Sequence, residues 1–221
     1  MVGRDEHGQS TSFVAGRIAD PLHIVAYGLK VKLFPNCGST HRALDGLLEL
    51  REGHGFTHKN VEQIIVRAPA SHLRNLPYDD PKTPNEAKFS LEYNLAAALY
   101  QGQVGLSDFA PEAVARPEIR ALFDKVRKEP VEKLESEFPT EVHVRTRAGE
   151  ALSTLIVMPR GSRQRPLSRD QLFEKLDDCC AQAGPWVKGE ALRNALTNLE
   201  HHAKISDLAT LLKSTQPHTI S

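Results

Sequence analysis

The chain has 221 residues, 28 basic and 28 acidic side chains and a formal net charge of zero, with 40% apolar residues. That profile is globular rather than disordered, and one large domain or two small ones fit its length. No basic stripe points to nucleic acid, and no apolar run approaches the ~18 residues of a membrane span.

Residues 1–24 are polar and carry Gly and Ser, so they read as a loosely ordered leading segment. They hold no apolar signal core, and the expected location is the cytoplasm. "GLKVKLFPNCGSTHRALDGLLEL" follows, residues 28–50. Gly28 to Phe34 reads as a short extended segment, with Lys30 and Lys32 on one face. Thr40 is the expected N-cap of a helix whose stripe is Ala43, Leu44, Leu47 and Leu48, and Gly53 and Gly55 stop it. "VEQIIVRAP", Val61 to Pro69, is a β-branched alternating strand closed by proline.

Asn75 to Lys88 carries Pro77, Pro81 and Pro84 and reads as an irregular loop of the kind that serves a site. "AKFSLEYNLAAALYQG" is one helix with a stripe of Leu91, Leu95, Ala98 and Leu99, ended at Gly102. Another helical stretch is expected over Pro117 to Arg127. "TEVHVRTRAGEALSTLIVMPRG" reads as a hairpin turning at Ala148-Gly149. Ser168 then caps "RDQLFEKLDDCCAQA", followed by helices in "GEALRNALTNLEHHA" and "ISDLATLLKS". The fold class is α+β: a small, mostly antiparallel sheet with flanking helices over 25–163, then a helical segment over 164–221.

Several chemistries have no signature here. The glycine-rich dinucleotide and phosphate loops, H-E-x-x-H and G-x-S-x-G are absent. Cys37, Cys179 and Cys180 make neither a disulfide framework nor a zinc or iron–sulfur ligand set. His54 and His58 are four apart, but Gly53, Gly55 and Thr57 disfavour a helix between them. His201-His202 reads as a solvated pair. No metal or cofactor is expected.

"LKVKLFPNCGSTHRALDGLLEL" and "AKFSLEYNLAAALYQGQVGLSDF" together resemble the C-terminal part of the MmgE/PrpD family. The resemblance extends through "VHVRTRAGEALSTLIVMPRGSRQRPLS" and the tail, over about residues 25 to 213. That family includes 2-methylcitrate dehydratase, cis-aconitate decarboxylase and iminodisuccinate epimerase. Members are about twice this length and begin with an all-helical domain that carries part of the active site. The resemblance therefore implies a lid-like α+β domain, tail helices that pack on a missing helical domain, and a separate subunit supplying it. It also implies a homodimer and a cofactor-independent lyase or epimerase acting on small di- or tricarboxylates. The stretch Lys88-Phe89-Ser90-Leu91-Glu92-Tyr93 departs from the Asp-His pair and glutamine expected ahead of the tyrosine in 2-methylcitrate dehydratases, so that activity is not assumed.

Chemistry on such acids builds negative charge beside a carboxylate, which cations and an acid/base group in a dry cleft can stabilise. The resemblance places a site lysine at Lys32, though alternation alone does not separate it from Lys30. His41, at a helix start, is disfavoured as imidazolium and suits proton transfer. Tyr93 stands off the apolar stripe, and the resemblance makes it the third catalytic candidate. Lys88, read as first-turn, is a second carboxylate contact. Ser39 and Thr40 can offer hydroxyl or N–H groups to an anion. The alternative is a non-catalytic module that oligomerises or docks through apolar tail residues such as Leu192, Leu196, Leu199, Ile205, Leu208, Leu211 and Leu212.

Overall fold

The computed structural model describes residues 22–132, 139–201 and 204–212. The expectation for residues 1–21 lies outside them, as does His202.

Four strands form one sheet: β1 (Val61–Pro69), β2 (Val126–Val131), β3 (Thr140–Thr146) and β4 (Ala151–Ile156), in the order β2-β1-β3-β4. β1 pairs antiparallel with β3, β3 antiparallel with β4, and β1 parallel with β2. The fold is thus the expected α+β arrangement, with a small, mostly antiparallel sheet and helices around it. The hairpin turns where expected, with Gly149 at φ +87°.

Two helices cover one face of the sheet. α1 (His23–Tyr27) precedes them, and α2 (His41–His54) crosses β3 and β4. It approaches so closely that a Cβ on Gly46 would stand 2.7 Å from Val142 Cγ2. α3 (Ala70–Arg74) and α4 (Pro84–Lys88) lead into α5 (Leu91–Gln101). α5 is buried on every side from Leu91 to Leu99, not along one stripe. Val61, Ile64, Val66, Val142 and Val144 meet Leu44, Leu47, Leu95 and Leu99 in the core.

Local chemistry corrects four expectations. The helix expected from Ala87 to Gly102 is two helices, because Ser90 accepts the Tyr93 N–H at 3.0 Å and caps α5 as a new start. The Asn75–Lys88 loop is not wholly irregular. Pro84 occupies the first turn of α4, where its missing N–H is harmless, and Thr83 with Glu86 forms a capping box. The stretch expected to be helical as far as Arg127 is broken into α7 (Pro117–Arg120) and a 3₁₀ turn over Phe123–Lys125; α6 (Pro111–Val114) precedes it. Arg127 lies in β2, an edge strand whose charges and Pro130 hide its periodicity. Finally, Thr40 stands at the N-cap position of α2 as expected, but in helical conformation at the end of a 3₁₀ turn over Gly38–Thr40, and its side chain makes no capping bond.

The tail holds α8 (Arg169–Ala183), α9 (Gly189–Thr197) and α10 (Ile205–Leu211), with the capping box Ser168/Gln171 opening α8. They share a small core of Leu192, Ala195 and Leu208. Asp178 of α8 accepts the Leu106 N–H at 2.9 Å and ties the tail to the body. No helix among the described residues is long and apolar enough to cross a membrane.

Candidate active site

The corner at residues 30–41 and the loop at 158–162 face each other across a cleft of about 270 Å³. Among the described residues its lining includes Lys30, Lys32, His41, Arg42 and Arg160 and no carboxylate. The segment carrying the lysines is not a strand of the sheet. It is held instead by one backbone bond, Val31 N–H to the Gly161 carbonyl at 2.8 Å. Gly161 has φ +86°, and a Cβ there would lie 1.8 Å from the Val31 carbonyl oxygen, so only glycine fits this approach. Lys32 is exposed, and its Nζ donates to the Asn36 carbonyl at 3.2 Å.

His41 begins α2 and is only 4% exposed. Its ring meets Phe34 edge-on, with centroids 5.3 Å apart. Its Nε2 is buried with no hydrogen-bond partner. Burial, followed by the Lys32 charge, lowers its pKa to about 4, although nearby carbonyls of Asn36 and Phe34 favour the protonated ring. The imidazole is therefore neutral near pH 7, as expected, but desolvation is the main cause.

This geometry gives a stability prediction. Because the folded-state pKa of His41 lies below its ordinary value of 6.5, the unfolded chain takes up its proton first as pH falls. The stability from His41 is complete above pH 6.5 and is lost progressively down to about pH 4. The loss amounts to about 3 kcal/mol. Urea unfolding of wild type and His41→Gln across that range measures it. Their stability difference should change with pH in this sense, and parallel curves would refute the assignment.

The structure puts the other candidate residues elsewhere. Tyr93 is fully buried, its ring against Phe109 and Phe123 and its hydroxyl donating to the Asp108 carbonyl. Burial raises the phenol's pKa. Its offset from the apolar stripe pointed to a cleft, but α5 has no open side over Leu91–Leu99. Lys88 sits in the last turn of α4, where a cation suits the helix dipole, and its Nζ lies 6.0 Å from the centroid of the Phe109 ring. It does not line the cleft with Lys32. Ser39 Oγ accepts from Asn75 Nδ2 at 3.1 Å. Thr40 is fully buried and donates to the Cys37 carbonyl at 2.8 Å, so its hydroxyl does not reach an anion in the cleft. Cys37 is half-buried against the core.

The Asn75–Lys88 loop serves the body rather than the cleft. Lys128 donates to the Leu76 carbonyl at 3.0 Å and Asp79 at 2.6 Å, and Arg120 to the Pro81 carbonyl at 2.9 Å. His58 packs against Tyr100 at a tilt, ring centroids 4.7 Å apart, and no three His, Cys, Asp or Glu side chains among the described residues gather as a metal set. His201 is exposed, 3.7 Å from Glu200.

Sequence reading missed three groups that build the corner. Asn36 donates to Asn94 at 2.5 Å, and Asn94 in turn donates to the carbonyls of Ala87 and Ser90, joining the corner to α5. Asp45, one turn after His41, is fully buried and accepts the Arg160 backbone N–H at 2.6 Å and its Nε at 2.7 Å. Its position on the buried side of α2, among Leu44 and Leu47, was the available signal: a carboxylate there demands a partner.

Comparison with known proteins places the chain in a family. Residues 34–201 match the family model described as the MmgE/PrpD C-terminal domain. Human cis-aconitate decarboxylase is 28% identical over 199 residues, covering 86% of this chain and 41% of the relative. The mouse cis-aconitate decarboxylase is 25% identical over 191 residues, covering 82% of the chain and 38% of the relative. The cis-aconitate decarboxylase-like protein oryM of Aspergillus oryzae is 24% identical over 195 residues, covering 83% and 40%. The chain thus spans about two-fifths of the length of these curated relatives. With three-quarters of its length inside the matched domain, the chain belongs to the MmgE/PrpD family.

Proposed function

We propose that this chain supplies the polycarboxylate-binding corner of a cofactor-independent lyase for small di- or tricarboxylates, completed by an all-helical domain. One observation carries the reading: a cleft that, among the described residues, is lined by cations and no carboxylate, with a buried neutral imidazole in its wall. Lys32 would hold a substrate carboxylate as a compact point charge and stabilise the charge that develops beside it. His41 would exchange the proton at the neighbouring carbon, since a neutral imidazole can accept it and the resulting imidazolium can return it. Dehydration, decarboxylation and epimerisation all draw on these two roles. The relatives named for cis-aconitate make that acid the first substrate to test.

Calorimetric titration of the chain with cis-aconitate tests the binding half of this reading. Wild type should bind, and Lys32→Ala should weaken binding about tenfold or more, the loss typical of a charge-assisted hydrogen bond. Unchanged affinity in that variant would remove Lys32 from the site. Mixing the chain with a helical domain from the same family and assaying carbon dioxide release or hydration tests the catalytic half.

A second reading has its own support. Leu196, Leu199, Ile205 and Leu212 on the tail are between 42% and 77% exposed, as a docking or dimer surface would be. Sedimentation of the chain separates the two: a monomer at high concentration argues against a self-association surface.

A further inference from the structure

We infer that Arg160 is the second carboxylate-binding cation of the cleft and the residue that makes it prefer polycarboxylates, with Asp45 as the positioning residue that holds it there. The inference rests on the reading of the cleft as a polycarboxylate site.

Arg160 sits in the 158–162 loop opposite the Lys32 segment, where it borders this cleft and also two neighbouring cavities, one of them lined by Phe34. Asp45 engages its backbone N–H and its Nε. The two terminal guanidinium nitrogens have no hydrogen-bond partner among the described residues. The guanidinium rests over the Phe34 ring, 5.8 Å from its centroid. The same ring packs edge-on to His41. Phe34 therefore spaces the guanidinium from the imidazole, and each occupies a defined place beside it.

A guanidinium fixed at its inner edge and open at its outer edge is arranged to grip a planar carboxylate through two N–H groups. Lys32 is an ammonium on a flexible stem on the other wall. One carboxylate satisfies one of these cations and leaves the other unpaired. A ligand with two carboxylates a few bonds apart satisfies both. Affinity should therefore rise steeply from mono- to polycarboxylates, and Arg160 should account for the rise.

Asp45 acts from behind. It is fully buried, while the Arg160 side chain is 26% exposed. Its carboxylate consumes the Nε donor and fixes the loop backbone to α2, one turn from His41. Arg165 adds a second tie by pairing with Glu49 at 2.6 Å and donating to the Met158 carbonyl at 3.2 Å. The loop thus retains an anchor when Asp45 is changed, which makes conservative substitutions there informative.

The test is calorimetric titration of the full chain with tricarballylate, an unreactive saturated tricarboxylate, and with propionate as its monocarboxylate counterpart. The proteins are wild type, Lys32→Ala, Arg160→Gln, Arg160→Lys, Asp45→Asn and the Asp45→Asn/Arg160→Gln double variant, each checked by near-UV circular dichroism. Arg160→Gln should lose about tenfold or more in tricarballylate affinity, with little change for propionate. Arg160→Lys should recover part of that loss. Asp45→Asn should weaken tricarballylate binding, and the double variant should bind no more weakly than Arg160→Gln, because Asp45 acts through Arg160. Arg160→Gln and Arg160→Lys binding like wild type while Lys32→Ala fails would overturn this assignment and leave the proposed function standing. Wild type binding neither acid would overturn both. Additive losses in the double variant would remove Asp45 from its positioning role.

Discussion

Asp45→Ala is expected to destabilise the chain by about 3–5 kcal/mol, the range for breaking a buried ion pair from one side. The carboxylate is fully buried and holds two Arg160 donors at 2.6 and 2.7 Å. Its loss leaves the backbone N–H of Arg160 without its acceptor and the guanidinium without its counter-charge. The effect should extend beyond stability. The 158–162 loop forms one wall of the cleft and also holds the Lys32 segment through Gly161 and Val31. Hydrogen exchange should therefore show Val31 losing protection in Asp45→Ala before the β1–β3 ladder does. Chemical denaturation within 1 kcal/mol of wild type would contradict the structural weight placed on this pair.

Tyr93→Ala is expected to destabilise by about 3–5 kcal/mol, the range for deleting a buried aromatic ring. The ring is fully buried against Phe109 and Phe123, and the hydroxyl satisfies the Asp108 carbonyl. Tyr93→Phe separates the two contributions. It keeps the ring and strands the carbonyl, so it should lose about 1–3 kcal/mol. It also discriminates between a core tyrosine and a catalytic one. A core role predicts that Tyr93→Phe binds cis-aconitate like the parent chain while melting earlier. Normal stability with impaired ligand binding would return the phenol to the site.

These two residues show where the sequence is informative and where it falls silent. Hairpin β3–β4, strand β1 and the capped helix α8 were legible because each carries its own punctuation: Gly149 at the turn, alternation ended by Pro69, Ser168 with Gln171. β2 was not, because an edge strand rich in charge and containing Pro130 lacks the periodicity of a half-buried one. Tyr93 was misplaced because a stripe argument assumes a helix with one dry face, and α5 is dry all round. The corner itself was legible as a concentration of Lys32, His41 and small residues. Its long-range supports were not. Asp45 and Arg160 are 115 residues apart, and Asn36 and Asn94 are 58 apart. No local pattern links either pair.

The central claim is that Lys32 and His41 face one anion-binding cleft. Heteronuclear NMR of the imidazole rings, followed during addition of tricarballylate, tests it most directly. The His41 resonances should move saturably, the midpoint of their pH titration should rise from about 4 as bound carboxylate stabilises the imidazolium, and both changes should vanish in Lys32→Ala. A His41 ring that stays unmoved while other surface signals respond to the acid would contradict the account.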